Sequence, residues 1–365
     1  MKINTKINHK KLWLNSMIGM TWGFIASLIV GAIIGLFAIN QDNDFSHMIK
    51  AVKSGLTYLT PFAIGVGVGV KLKMSPLQIF AIALAAFVIG HSMMIPKYSN
   101  GINWSGSIGI QKVFLPGDVF GAWIGAVVVA YVFKICQWEM FLDIIIVPLI
   151  GVICGIFLAT FLTYMTSTVL VLLEWIIEHT INDKRYLAIL LAPIMGALMG
   201  LALSLPTSSA AIAFALSLHG DAATAAMAAT AAQMVSFGVM TYLSTNKWSQ
   251  ALAVGLGTSM LQMNNFIKKP KLLIIPTFMS ALMAMIAVIA LPLAFNHRAV
   301  TSGMGSAALY GQIFTLNDNG WTNVDAWLNV LIMQMAMPIT LTYGIGYYVL
   351  KKRWIKPQEM NLNHT

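Results

Sequence analysis

Charged residues are scarce in this sequence, and their scarcity excludes most soluble folds. Only 9% of the 365 residues are Asp, Glu, Lys or Arg, whereas 58% are hydrophobic. A soluble globular domain carries about 25% charged residues. We therefore predict an all-α polytopic membrane protein rather than a globular enzyme with a single anchor.

Cysteine is nearly absent too, since the chain has only Cys136 and Cys154. Two cysteines in apolar surroundings do not make a disulfide framework, and their spacing is not that of a metal site. The sequence also lacks a nucleotide-binding loop, a catalytic triad, a zinc spacing and a nucleic-acid module. We therefore expect no cofactor, no metal site, no catalytic residue and no nucleic-acid partner.

Acidic residues are outnumbered by basic ones, 12 against 22, which gives a formal net charge of +10. In a membrane protein such an excess records topology, because Lys and Arg favour cytoplasmic loops. Basic residues cluster near the N-terminus, at Lys71 and Lys73, at 268–271 and at 351–356. This pattern predicts that both termini are cytoplasmic.

Long apolar segments divide the chain into about ten predicted transmembrane spans. We place these spans at 17–39, 48–70, 76–95, 119–135, 144–165, 186–205, 222–243, 250–266, 272–295 and 326–350. Pro206–Leu218 is too short to cross the membrane, and glycines interrupt Gln250–Phe266. We predict that these are two re-entrant or broken hairpin elements. Residues 296–324 are predicted to form a long polar loop.

The stretch from Leu205 to Asn265 stands out because small residues, hydroxyls and amides replace the large apolar side chains of its neighbours. Such a segment gains little from facing lipid, and it is suited to close helix packing or to lining a polar cavity. We interpret it as the part of the chain that handles a small polar solute.

Two groups of polar residues in this stretch are candidate solute-binding residues. Hydroxyls that follow Pro206 can cap a half-helix whose N-terminus attracts a hydroxyl-rich or anionic ligand, or can cap it without any ligand. This first group is Thr207, Ser208 and Ser209. The second group, the densest polar cluster in a membrane-length segment, can bind a polyhydroxylated solute or be satisfied by water and backbone. Its members are Thr258, Ser259, Gln262, Asn264 and Asn265.

Three further candidates are less specific. Gln233 lies in a helix of small residues, where its amide can bind a sugar-like solute or join two helices. His219 and Asp221 can form a proton or polar relay, or else Asp221 caps the next helix while His219 faces interfacial water. Gly303, Gly305 and Gln312 can act as a gate over the site, although a flexible turn has the same pattern.

The sequence resembles the membrane-embedded IIC subunits of the bacterial phosphotransferase system in four ordered motifs: PTSSAAIAFAL, AAQMVSFGV, LAVGLGTSMLQMNNFIKKPK and SGMGSAALYGQIFTL. The specific match is to the stand-alone branch that includes perfringolysin-regulator-like proteins. The similarity covers nearly the whole chain and is densest over 193–316.

This resemblance implies a homodimer in the bacterial cytoplasmic membrane. It implies a scaffold and dimerisation half at 1–185 and a transport half with re-entrant hairpins at 186–350, followed by a cytoplasmic tail at 351–365. It also brings separate IIA and IIB proteins into consideration as partners. The sugar or sugar derivative would be carried by an elevator-type movement of the transport half.

Two features depart from the pattern of sugar-carrying IIC subunits. Those proteins place an acidic residue in the second hairpin, against the sugar hydroxyl that receives phosphate, whereas Gly255–Phe266 contains no Asp or Glu. The sequence also shows no IIA or IIB domain. We therefore expect a transporter rather than an enzyme; the alternatives are a membrane sensor and a phosphotransferase subunit that works with separate IIA and IIB proteins.

Overall fold

The computed structural model describes residues 2–3, 9–38, 43–92, 119–137, 144–159, 161, 185–205, 209–216, 218–290, 297 and 299–362. The chain divides into two compact units, Met1–Val169 (unit 1) and Leu170–Thr365 (unit 2). Helices make up nearly all of the described residues. The exception is a two-residue antiparallel ladder in unit 1, between Lys2–Ile3 (β1) and Cys136–Gln137 (β2).

The helices of unit 1 are α1 His9–Phe24, α2 Val30–Leu36, α3 Asp44–Tyr58, α4 Thr60–Lys71, α5 Pro76–Ser92, α6 Val119–Ile135 and α7 Ile144–Ala159. A π-helical stretch, Ile25–Ile29, joins α1 to α2. Most of these helices are apolar, whereas α3 carries Asp44, His47, Lys50 and Lys53.

Glycines let the helices of unit 1 approach one another closely. A Cβ atom added at Gly19 of α1 would lie 2.4 Å from the carbonyl oxygen of Gly67 in α4. One added at Gly65 would lie 2.5 Å from the Cα atom of Ala83 in α5. The glycines of α4 thus admit close neighbours, as in other membrane helix pairs.

The helices of unit 2 are α8 Arg185–Ser204, α9 Ser209–Ala215, α10 Gly220–Thr245, α11 Trp248–Leu252, α12 Met263–Lys268, α13 Ile274–Ala290, α14 Ala299–Ser302, α15 Tyr310–Asn319, α16 Val324–Leu328 and α17 Met337–Lys351. Helix α10 is the centre of this unit, and nearly all of its residues are buried. Its many alanines favour a helix and leave room for α8, α13 and α17 to pack around it.

Five helical segments among the described residues are long and apolar enough to cross a membrane. They are Lys11–Leu36, Tyr186–Ser204, Gly220–Thr245, Pro270–Ala290 and Val324–Lys351. Shorter apolar helices occur at Pro76–His91, Gly121–Ile135 and Ile144–Ala159. The chain is thus an all-α polytopic membrane protein; the total of ten spans stays a prediction.

The structure confirms that the first hairpin element is short and that the second is broken. Helix α9 has 7 residues. The second element changes geometry twice, because α11 continues as a π-helix over Ala253–Gly257 and the backbone of Thr258 is extended (φ −158°, ψ 136°). A 3₁₀ turn, Ser259–Gln262, then leads into α12.

The prediction of a long polar loop at 296–324 is wrong. The described part of this segment contains α14, a 3₁₀ turn at Ala307–Leu309 and α15, and residues 301–307 are buried. The sequence suggested a loop because glycine and serine are abundant. In the structure these small residues pack against the rest of unit 2, and the hydroxyl of Ser306 donates to the carbonyl oxygen of Gly255.

The segment after α17 is also part of unit 2. Residues 354–362, which we call the C-terminal segment, bring the fully buried side chains of Ile355 and Met360 against the unit. The backbone N–H of Gln358 donates to the carbonyl oxygen of Ser244 over 2.8 Å. The C-terminal segment therefore covers the end of α10.

Candidate functional site

Gln233 lies at the contact between α8, α10 and α13, and its amide is paired at both ends. Nε2 donates to the Ser204 hydroxyl over 2.9 Å, and Oε1 accepts from the Ser280 hydroxyl over 2.7 Å. The side chain is completely buried. These bonds join three helices. The sequence left two roles open for Gln233, solute binding and joining helices, and the bonds correspond to the second.

Thr258 and Ser259 stand at the break of the second hairpin element, where Gly255 and Gly257 precede an extended residue. The Thr258 hydroxyl accepts from the backbone N–H of Met260 over 3.3 Å, so it caps the 3₁₀ turn. The Ser259 hydroxyl lies 3.2 Å from that of Ser204. Ser259 thus extends the polar network that contains Gln233, and the break is tied to α8.

Gln262 and Asn265 face the C-terminal segment. Gln262 Nε2 donates to Thr241 Oγ1 over 2.9 Å and to the carbonyl oxygen of Met360 over 2.8 Å. Asn265 Nδ2 donates to Gln262 Oε1 over 2.8 Å and to the carbonyl oxygen of Asn361 over 3.3 Å. Their amides therefore fasten the hairpin element to the end of the chain.

Asn264 differs from its two neighbours. Its side chain is only 8% exposed, and its Oδ1 atom has no hydrogen-bond partner within the part of the chain that the structure describes. An unpaired buried carbonyl costs about 1–3 kcal/mol. Asn264 is consequently the member of this cluster whose side-chain acceptor the described residues leave unpaired.

Ser209, Gly303 and Gly305 meet where α9 packs against residues 301–307. The Ser209 hydroxyl donates to the carbonyl oxygen of Gly303. The hydroxyl of Thr230, in α10, donates to the carbonyl oxygen of Ser302 over 2.8 Å. Gly305 has φ +57°, a conformation that suits glycine. The two predicted gate glycines are thus packed into the first hairpin element and α10.

This packing also connects the two hairpin elements. The hydroxyl of Ser306 donates to the carbonyl oxygen of Gly255 over 2.7 Å. Residues 301–307 therefore contact α9, α10 and the π-helix of the second element. Thr207 and Ser208, the remaining members of the first candidate group, lie outside the described residues.

Gln312, the third gate residue, is buried in α15, and both polar atoms of its amide lack a hydrogen-bond partner among the described residues. Three further buried polar residues accompany it in this part of unit 2: Thr315, Asn329 and Gln334. Sequence reasoning missed these three. The signal available was a pair of amides, Asn329 and Gln334, inside the last predicted span.

His219 and Asp221 border the start of α10 and differ in their burial. His219 is exposed, with extended backbone (φ −146°, ψ 171°), whereas Asp221 is buried in the first turn. A carboxylate in that position is favoured by the helix dipole. A relay through the two residues stays a prediction.

Two lysines contact a glutamate of the C-terminal segment. Lys269 Nζ is 2.9 Å from Glu359 Oε1, and Lys271 Nζ is 3.3 Å from Glu359 Oε2. Desolvation on its own would raise the pKa of Glu359, but hydrogen bonds from Lys269, the backbone of Lys356 and Lys271 lower it overall. The described residues contain no group of three His, Cys, Asp or Glu that could hold a metal ion.

Comparison with known proteins identifies the family. A family model described as "Phosphotransferase system, EIIC" matches residues 14–362. A search of curated proteins found no match. The family match covers nearly the whole chain and agrees with the helical, membrane-spanning architecture. The chain belongs to the EIIC family of the phosphotransferase system, which comprises the membrane subunits of sugar-type transporters.

Proposed function

We propose that this chain carries a neutral sugar or sugar derivative across the bacterial cytoplasmic membrane, as a homodimer with both termini in the cytoplasm. The transport half moves in an elevator-type manner against the scaffold half, which forms the dimer. Membership in the EIIC family supports a sugar as the solute and separate IIA and IIB proteins as usual partners.

The second hairpin element carries the proposal. Its backbone is broken at Thr258 inside buried surroundings, and non-helical backbone at membrane depth is tolerated where it is buried in protein or lines a water-filled cavity. Asn264, six residues further on, has the unpaired Oδ1 atom, which can accept a hydrogen bond from a sugar hydroxyl. We assign the solute contacts to Thr258 and Asn264, together with Thr207 and Ser208.

We assign a positioning role, rather than solute contact, to other predicted binding residues. Ser259 holds the hairpin element to α8 through Ser204, whose hydroxyl also accepts from Gln233, and Gln262 and Asn265 hold the element to the C-terminal segment. A site built on fastened elements keeps its contacts in place during movement. His219 and Asp221 are assigned a relay that couples a proton to transport.

Uptake into proteoliposomes tests the proposal. Purified protein is reconstituted and given labelled hexoses, hexitols and N-acetylhexosamines, with and without a pH gradient. We expect uptake of at least one solute, and a loss of at least 10-fold in Asn264→Leu, because about 1.4 kcal/mol of binding energy is worth a factor of 10. Asn246→Gly is the matched control, since Asn246 is exposed and has a left-handed backbone (φ 55°) that glycine adopts readily.

A panel without any uptake would contradict transport by this chain alone. If Asn264→Leu took up solute as well as Asn246→Gly does, the site assignment would be wrong. Binding without uptake would favour the sensor.

Phosphotransfer with separate IIA and IIB proteins is the second candidate, and the family match favours it. In this mode the accumulated sugar is phosphorylated. Assaying the labelled product for phosphate, with and without an extract that supplies the phosphate donor and the partner proteins, distinguishes it from transport of unmodified sugar.

A further inference from the structure

Helix α15 and the π-helical start of the last span bury a cluster of uncharged polar side chains, which we call the amide cluster. Its members are Gln312 (4% exposed), Thr315 (2%), Asn329 (2%) and Gln334 (0%). Gln312 and Thr315 are three residues apart and share a face of α15. Asn329 and Gln334 both lie in the π-helix Asn329–Ala336.

The amide cluster is only partly satisfied by its own members. Gln334 Nε2 donates to Thr315 Oγ1 over 3.1 Å and lies 3.4 Å from Asn329 Oδ1. Four buried atoms have no hydrogen-bond partner among the described residues. These atoms are Gln312 Nε2, Gln312 Oε1, Asn329 Nδ2 and Gln334 Oε1.

The position of the amide cluster makes this deficit costly. Asn329 and Gln334 lie about 7 and 15 Å into the candidate span Val324–Lys351 at a rise of about 1.5 Å per residue. Gln334 is thus near the middle of a hydrocarbon core about 30 Å thick, where no bulk water is present to satisfy an amide. Unsatisfied polar groups at such depth need a partner.

We propose that the amide cluster is a binding site for a neutral, hydroxyl-bearing ligand. The unpaired atoms comprise two donor nitrogens, of Gln312 and Asn329, and two acceptor oxygens, of Gln312 and Gln334. A hydroxyl group both donates and accepts, so vicinal hydroxyls match this set, whereas an ion would satisfy only one half of it. The π-helix supports a functional role, because such distortions are frequent at functional sites.

This inference goes beyond the proposed function, which assigns solute contacts to the two hairpin elements. A second hydroxyl-binding site in unit 2 would be a further station for the sugar or a site for another polyol. Binding at the amide cluster can be measured without transport, so the two proposals can fail separately.

Ligand-induced thermal stabilisation of the full-length, detergent-solubilised protein tests it. The probes are glycerol, hexitols, hexoses and N-acetylhexosamines, each tested individually. A ligand that binds only the folded state raises Tm, and we expect a rise on the order of 2–4 °C for at least one probe. In Gln312→Met, which keeps the side-chain length but removes both polar atoms, we expect that rise to be lost while the ligand-free Tm is maintained or higher.

Gln250→Met is the matched control. The amide of Gln250 is buried as well, but it is paired with Asn361 Oδ1 (3.0 Å) and with the backbone N–H of Leu362 (3.1 Å). We expect this variant to have a lower ligand-free Tm and to keep the ligand-induced rise. Asn329→Ala provides a second variant if Gln312→Met does not fold.

Two outcomes would overturn the proposal. If no probe raises the Tm of the unmodified protein, the amide cluster holds water or stays empty and is not a site for this ligand class. If a probe raises Tm equally in Gln312→Met and Asn329→Ala, it binds elsewhere.

Discussion

At the scale of single residues, His297 is a buried ionisable group outside the five long spans. Burial lowers its pKa from 6.5 to about 4. The neutral imidazole is therefore the form that the folded protein accommodates, whereas the unfolded chain takes up a proton near pH 6.5. His297 makes folding sensitive to acid, since the stability present above pH 6.5 is lost as the pH falls towards 4.

We expect the free energy of unfolding to fall as the pH is lowered from 6.5 to 4, with a contribution from His297 of at most about 1.4 kcal/mol per pH unit. His297→Gln removes the titrating group and should flatten this part of the profile. Unfolding of both proteins in detergent at several pH values measures the difference. Parallel profiles for the two proteins would show that His297 is accessible to protons in the folded state.

Gly305 lies at a position that has no room for a side chain. Its φ is +57°, and an added Cβ atom would lie 2.6 Å from the carbonyl carbon and oxygen of Thr230 in α10. Gly305→Ala combines left-handed strain with overpacking and should destabilise unit 2 by about 2–4 kcal/mol.

Gly344→Ala is the control for that substitution, because nothing lies within 4 Å of a Cβ atom added in this part of α17. Alanine is the better helix former, so we expect no loss, or a gain of up to about 1 kcal/mol. Thermal unfolding of the two variants measures both effects. Equal Tm values would mean that residues 301–307 are not packed against α10.

Buried amides show how far the sequence can predict the site. Gln233 and Gln312 are the same residue type, and both have mostly apolar neighbours in the sequence. In the structure, however, Gln233 has hydroxyl partners on two other helices and Gln312 has none among the described residues. The difference depends on Ser204 and Ser280, which are 29 and 47 residues away from Gln233. Local sequence therefore predicts that an amide is buried, but not whether it is satisfied.

At the scale of elements, the C-terminal segment holds the second hairpin element in place. Amides of Gln262 and Asn265 donate to its backbone carbonyls, and Gln250 exchanges bonds with its last two described residues. The lysine contacts with Glu359 add a charged connection at the surface. The C-terminal segment is therefore packed into unit 2 as part of its fold.

A truncation after Arg353 should therefore destabilise unit 2 by about 3 kcal/mol or more, because three buried amides lose partners and each loss costs about 1–3 kcal/mol. We expect a lower Tm and faster proteolysis within 248–268 than in the full-length chain. A truncation after Leu362 is the control and should leave both unchanged. Similar Tm values for the two truncations would contradict the fastening role.

Hydropathy and segment length predict where the helices lie better than they predict the local geometry of each helix. The apolar spans around α8, α10 and α13 follow directly from hydropathy, and the break near Thr258 follows from Gly255 and Gly257. The π-helix at 329–336 could not be predicted, because amides such as Asn329 and Gln334 in an apolar segment indicate buried polar groups but not a change of helix geometry. The segment containing Ser302 and Ser306 has the composition of a loop, because the hydrogen-bond partners that order it belong to other elements.

At the scale of the whole molecule, the distribution of lysine and arginine predicts the topology. The N-terminus, 268–271 and 351–356 are all basic, whereas Asn323 and its neighbours before the last span are not. Under the positive-inside rule the first three face the cytoplasm and the last faces outwards. The family match supports a multi-pass membrane protein and leaves this orientation to experiment.

Cysteine labelling tests the topology. In a background with Cys136 and Cys154 replaced by alanine, we expect Lys11→Cys and Lys356→Cys to react with a membrane-impermeant thiol reagent only in inside-out vesicles. Thr322→Cys should react in intact cells instead. All three positions are exposed, so burial does not limit their reaction. Labelling of Lys11→Cys and Lys356→Cys from opposite sides would show an odd number of spans.

The hydrogen bond from Gln262 to the carbonyl oxygen of Met360 also sets an order of events during biosynthesis. The two residues are 98 positions apart, and a ribosome that adds about 5–20 residues per second needs roughly 5–20 s to cover that distance. During this interval the hairpin element has been synthesised, but the amides of Gln262 and Asn265 do not yet have their partners in the C-terminal segment. Completion of the C-terminal segment ends that exposure, so a chain stalled before residue 360 carries an unmasked polar surface that membrane quality control can recognise.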